Sequence, residues 1–114
     1  MLPTVHRMRK PQEFQLTRRT GRKFVYPGVI IHISQGIFDD RPAVVGVTVG
    51  KDCGNSVVRH RISRRIRGSI RGLVSGLPQG CGVVIRALPG CTEDFDISAA
   101  LSESIDKACG VRAQ

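Results

Sequence analysis

Residues 51–71 are rich in groups that suit phosphate. The stretch reads K-D-C-G-N-S-V-V-R-H-R-I-S-R-R-I-R-G-S-I-R, with Lys51, Arg59, Arg61, Arg64, Arg65, Arg67 and Arg71 against Asp52 alone. A guanidinium is a planar fork that contacts phosphate oxygens bidentately, which an ammonium does not. A solvated basic face is the ordinary alternative for such a run. Against it, no acid stands four residues from any of these arginines to pair along a helix. A run this dense repels itself unless an anion lies against it.

These side chains must be positioned by a helix. Gly54-Asn55 makes a turn and offers Asn55 as N-cap. Val58, Ile62, Ile66, Ile70, Leu73, Val74 and Leu77 then recur at spacings of three and four, the stripe of a helix docked on a core. At about 100° per residue, Arg61, Arg64, Arg65, Arg67 and Arg71 fall off the centre of that stripe. Arg59 projects onto the apolar side, where its stem can run over the end of a sheet while its guanidinium stays wet. Gly68 and Gly72 fall on the polar side, each costing about 1 kcal/mol relative to alanine.

The chain has 114 residues, enough for one domain around one core. A net charge of +9 and a pI of about 10.5 point to a polyanionic partner. The charge is uneven. Residues 1–23 are basic apart from Glu13, whereas after Arg86 the acids Glu93, Asp94, Asp96, Glu103 and Asp106 face only Lys107 and Arg112. The basic surface is therefore expected from the first two-thirds of the chain. No apolar run is long enough to span a membrane, and the first residues lack the apolar stretch of a signal peptide. The expected compartment is the cytoplasm. Cys53, Cys81, Cys91 and Cys109 form no C-x-x-C pair and match no common zinc module, so separate reduced thiols are expected. Carboxylates and histidines show no metal-ligand spacing, and no catalytic residue is expected in this chain.

The remaining elements read in order. Residues 1–10 are basic and expected to be extended. A helix is expected from about Pro11 to Arg19, with Pro11 in its first turn, Glu13 near the positive end of its dipole and Gly21 as its C-cap. Residues 28–34 and 43–49 read as strands that pair as a hairpin-like unit around a turn at Asp39-Asp40-Arg41-Pro42. Residues 82–88 are a further strand. Asp96 or Ser98 caps a last helix carrying Ile97, Leu101 and Ile105. The order α-β-β-α-β-α is that of an α/β (α+β) two-layer sandwich with a sheet of three or four strands. His32, Thr48 and Arg86 each alternate away from the larger aliphatic side chains of their strands. Each alone could be simple edge exposure; together they could line one groove. Phe14 is either a core anchor or a surface for a base.

V-G-V-T-V-G-K-D-C-G-N-S-V-V-R-H-R-I-S-R-R-I-R resembles the signature of the bacterial ribonuclease P protein subunit. H-R-M-R-K-P-Q-E-F, Gly21 and V-V-I-R-A-L-P are similar to other parts of that family's pattern. The resemblance spans nearly the whole chain, is specific over 46–71 and is weak after Pro89. This sequence departs from the pattern in three places. Asp52 stands where a second basic residue is usual, His60 replaces the Asn of an Arg-Asn-Arg triplet, and Ser63 replaces a common Lys. His60 can still donate to phosphate or a base edge.

The resemblance implies a ribosomal protein S5 domain 2-like fold with a left-handed βαβ crossover, against the usual rule. It implies a protein that assists a catalytic RNA in removing the 5′ leader of precursor tRNA, with magnesium at the RNA active site and no cofactor held by protein side chains alone. Lys51, Gly54, Asn55, Arg59, His60, Arg61, Arg64 and Arg65 would then contact the catalytic RNA. Phe14, His32, Thr48 and Arg86 would line the leader cleft. Ribonuclease P RNA and precursor tRNA are the expected partners, with no membrane and no obligate protein partner. Two rivals are a stand-alone nuclease, for which the acids are too scattered, and a general RNA- or ribosome-binding protein on the same fold. Only the arrangement from Gly54-Asn55 to Arg59-His60-Arg61 argues against the second.

Overall fold

A computed structural model describes residues 6–8, 10–38 and 41–109. Its elements are α1 (Pro11–Thr20), β1 (Arg22–Val25), β2 (Val29–Ser34), β3 (Val44–Val49), α2 (Ser56–Arg71), β4 (Gly82–Ala87) and α3 (Ile97–Cys109). The strands form one sheet in the order β1-β2-β4-β3, antiparallel except for the parallel pair β3 and β4.

The expected pairing of residues 28–34 with 43–49 does not occur, because β4 lies between the two strands. Parallel neighbours need a crossover connection, and α2 with its flanking turns supplies it between β3 and β4. Only Arg86 of β4 is exposed, so the most apolar strand takes a central place. β1 is an additional strand. It is short and half charged, and it joins the edge of β2 through the pairs Arg22–Ile33, Lys23–His32, Phe24–Ile31 and Val25–Ile30.

Alternation sorts the strand residues between two faces. Val29, Ile31, Ile33, Val45, Val83, Ile85 and Ala87 face α2 and α3, whose Ile62, Ile66, Ile70, Leu101 and Ile105 complete the main core. Ile66 is fully buried, and truncating it to alanine would cost about 2–5 kcal/mol. Asp96 Oδ1 accepts from Ala99 N at 3.0 Å and so caps α3. The opposite face carries a smaller cluster of Met8, Phe38, Val44 and Val84, joined by Phe14, Leu16 and Ile37.

α1 crosses that second face at one end of the strands. Phe14 lies on Gly46 of β3, Thr17 on Gly82 of β4, and Thr20 Oγ1 meets Ser34 Oγ of β2 at 2.9 Å. Gly21 closes the helix by donating from its N–H to the Thr17 carbonyl. Glu13 Oε2 pairs with Arg41 at 3.0 Å. Before α1, His6 lies in a 3-10 turn, Arg7 bridges Val45, and Met8 N donates to the Val45 carbonyl at 2.9 Å. Residues 1–5 and 9 of the expected extended segment lie outside the described residues, as do Asp39 and Asp40 of the expected turn.

Candidate nucleic-acid interface

Basic groups gather on two surfaces, one on α2 and one on the sheet face that α1 crosses. At α2 the local sequence sets the geometry. Gly54 has φ +136°, and a Cβ there would lie 3.0 Å from the Val58 side chain, so glycine is required. Asn55 Oδ1 accepts from Val58 N at 3.0 Å, the expected cap. Ile62, Ile66 and Ile70 are buried, as their spacing predicts. That docking turns Ser56, Val57, His60, Arg61 and Arg64 outward to line one shallow depression. Lys51 is exposed in the short 3-10 turn just before Gly54.

Two arginines of this helix depart from expectation. Arg65 donates from Nη1 to the Thr92 carbonyl at 3.0 Å and from Nη2 to the Phe95 carbonyl at 3.1 Å. Its guanidinium ties α2 to the loop before α3. Arg59 is half-buried and its Nε is enclosed without a partner, so that part of its fork is not wet. The serine at 63, where the family's lysine is common, accepts a short hydrogen bond from Arg67 Nη1.

On the other surface the structure brings Phe14, His32, Thr48 and Arg86 to one face. Registers place Val25, Ile30, Arg86 and Thr48 in one row across all four strands, and Lys23, His32, Val84 and Gly46 in the next. α1 covers the end of the face at Ser34, Gly82 and Val44, and Phe14 covers Gly46. The row from Thr48 to Val25 stays open. Phe14 is half-buried, so its ring both packs on the sheet and borders this groove. His32 Nδ1 and Thr48 Oγ1 are enclosed and have no partner. Buried polar groups in native proteins nearly always have one, so these two are polar atoms of the groove wall that no described protein group satisfies. Burial holds the His32 pKa below its usual 6.5, and the neighbouring charges of Lys23 and Arg18 add to the effect. The imidazole is therefore neutral at pH 7, with one donor and one acceptor nitrogen.

Sequence reasoning missed Gly46, Arg18, Lys23 and Ile30 at this groove. A Cβ on Gly46 would lie 2.4 Å from the Phe14 ring, and a glycine inside a strand pattern is the signal for such an approach. Magnesium takes oxygen ligands in near-octahedral geometry. Among the described residues no group of three or more His, Cys, Asp or Glu could hold a metal. The four cysteines are free thiols, and burial beside Cys109 pushes Cys81 up to about 12.

Comparison with known proteins gives a consistent picture. The sequence pattern of the family described as Ribonuclease P matches residues 2–109. The ribonuclease P protein component of Mycobacteroides abscessus is 40% identical over 110 residues, covering 92% of this chain and 85% of the relative. That of Streptomyces avermitilis is 37% identical over 115 residues, covering 95% and 92%. In fold, the chain is similar to the RNase P protein of Staphylococcus aureus, with a TM-score of 0.74 at 23% identity over 93% of this chain and 96% of that one. The Thermotoga maritima RNase P protein gives 0.66 at 16% identity over 94% and 98%. The chain belongs to the ribonuclease P family, as a protein component of the endoribonuclease complex that matures the 5′ end of tRNA.

Proposed function

We propose that this chain uses its two basic surfaces for two RNAs. α2 and the Gly54-Asn55 turn dock on the ribonuclease P RNA, while the groove beside α1 holds the single-stranded 5′ leader of precursor tRNA. The phosphodiester is hydrolysed at the RNA subunit, with its magnesium, and the protein supplies binding and orientation.

The observation that carries the leader assignment is the gathering of the Phe14 ring, His32, Thr48 and the exposed Arg86 on the one sheet face that α1 leaves partly open. A single strand needs π-surfaces for its bases and cations for its backbone. Phe14 and His32 offer the first and Arg86 the second. Opposite, Arg61, Arg64, His60 and Lys51 have the exposure that phosphate contact requires. Arg65 supports this surface by fixing α2 to the 92–95 loop.

Reconstitution tests the reading. Holoenzyme assembled from this protein and ribonuclease P RNA is expected to bind precursor tRNA more tightly than mature tRNA, because only the precursor carries a leader. Phe14→Ala, His32→Ala and Arg86→Ala, each checked for folding, are expected to narrow that difference. Equal loss for both tRNAs in all three variants would overturn the groove assignment. Binding to unrelated RNAs as tight as to ribonuclease P RNA would favour a general RNA-binding role.

A further inference from the structure

The groove does not end at His32. β1 extends the same face by one strand, and its residues there are unlike those of an ordinary edge. Val25 is 64% exposed, one of two large hydrophobic side chains so open among the described residues. It stands beside Ile30, itself half-exposed, and that pair continues the row of Arg86 and Thr48. Lys23 stands beside His32 on the same face. Arg18, four residues after Phe14 on α1, brings a second charge close to His32. No carboxylate pairs with Arg18, Lys23 or Arg86 among the described residues. The neighbouring Arg22 is turned to the other side: it lies over Phe24 and donates to the Lys107 carbonyl at 2.6 Å. β1 thus splits its cations, one engaged within the fold and one left on the groove.

We propose that the leader track continues over β1, with Lys23 and Arg18 holding its phosphates and Val25 with Ile30 forming an apolar shelf under a base. This rests on the leader reading above. The track also has a direction. The turn that opens α2 follows β3 directly, at the Thr48 end of that strand, so the catalytic RNA docks nearest β3. Nucleotides close to the cleavage site lie over Thr48 and Arg86, and nucleotides farther along the leader lie over β1. Three strand spacings of about 4.8 Å make the row about 14 Å long, the length of about four stacked nucleotides. An aliphatic shelf accepts the flat of any base, so contact at β1 adds affinity without reading sequence.

The test compares holoenzyme binding to mature tRNA and to precursors with leaders of about two and about eight nucleotides, on either side of that length. The protein variants are Lys23→Gln and Val25→Ser, with thermal unfolding measured for each. Both side chains are exposed on an edge strand, so either variant can fail to fold without disabling the test with the other. Each is expected to weaken binding of the long-leader precursor by about threefold or more and to leave the other two RNAs unchanged. Lys23→Gln should also lower the salt dependence for the long leader by roughly 0.7 in log–log slope. Unchanged long-leader binding in both variants, or an equal loss on all three RNAs, overturns the extension over β1. A wild-type holoenzyme that binds long-leader precursor no better than mature tRNA overturns the leader reading itself.

Discussion

A single arginine can serve a phosphate or a backbone carbonyl, and side-chain type does not distinguish the two. Arg61, Arg64 and Arg65 look equivalent in sequence, yet only Arg65 spends its fork on two carbonyls. Arg65→Ala is expected to lower stability by about 1–2 kcal/mol, since hydrogen bonds from charged groups are worth more than neutral ones. Arg61→Ala and Arg64→Ala should change stability by less than about 0.5 kcal/mol. Each should instead lower the salt slope of RNA binding by roughly 0.7. Chemical denaturation beside a salt titration separates the classes; equal stability losses in all three would contradict this division. His32 gives a second contrast. Its folded pKa is depressed, chiefly by burial, so below the usual value the unfolded chain binds more protons than the folded one. Stability therefore rises with pH through the window between the folded pKa and 6.5, and falls as the protein is acidified through it. His32→Asn should flatten that dependence, read by unfolding midpoints across the window. An NMR titration of His32 in the free protein should give a midpoint below 6.5.

At the scale of elements, the groove depends on how closely α1 can approach β3. Gly46 sets that distance, because a Cβ there would meet the Phe14 ring at 2.4 Å and Met8 Sδ at 3.1 Å. Gly46→Ala is expected to destabilise by about 1–3 kcal/mol through overpacking and to lift Phe14 from the sheet. Calorimetry measures the first effect, and loss of the precursor-over-mature preference measures the second. Gly68 is the opposite case. A Cβ there meets nothing within 4 Å, so Gly68→Ala should stabilise the helix by about 1 kcal/mol. The same contrast explains what was legible in the sequence. The α2 stripe, the Asn55 cap and the face shared by His32, Thr48 and Arg86 follow from local periodicity and turn chemistry, which sequence records directly. The pairing of β2 with β4 does not, because the partner of a strand is decided by what covers it. β1 escaped because Val25 faces outward on the groove side, which breaks the alternation a half-buried strand should show. Arg65 escaped because its partners are carbonyls of a loop distant in sequence.

Across the whole molecule the charges are segregated, and that segregation limits which faces RNA can approach. Cations stand on α1, on the groove and on the outer side of α2. The acids Glu93, Asp94, Asp96, Glu103 and Asp106 sit on α3 and the loop before it. Some of these have local duties: Asp96 caps α3, and Glu103 accepts from the Tyr26 hydroxyl at 2.8 Å and pairs with Lys107. Asp94 and Asp106 are exposed and form no ion pair among the described residues, so their charge acts mainly through its field. At physiological salt that field reaches about 8 Å, enough to repel a phosphate backbone from this side. A protein with a net charge of +9 otherwise binds RNA in many orientations, since phosphate attraction carries no sequence information. Reversing Asp94 and Asp106 to lysine should therefore leave folding intact and raise affinity for unrelated RNA at low salt. Affinity for ribonuclease P RNA should change little, because its docking surface is untouched, so the ratio of specific to non-specific binding should fall. Competition binding at two salt concentrations measures that ratio. An unchanged ratio at both would mean that the shape of the α2 surface, and not the distribution of charge, selects the docked orientation.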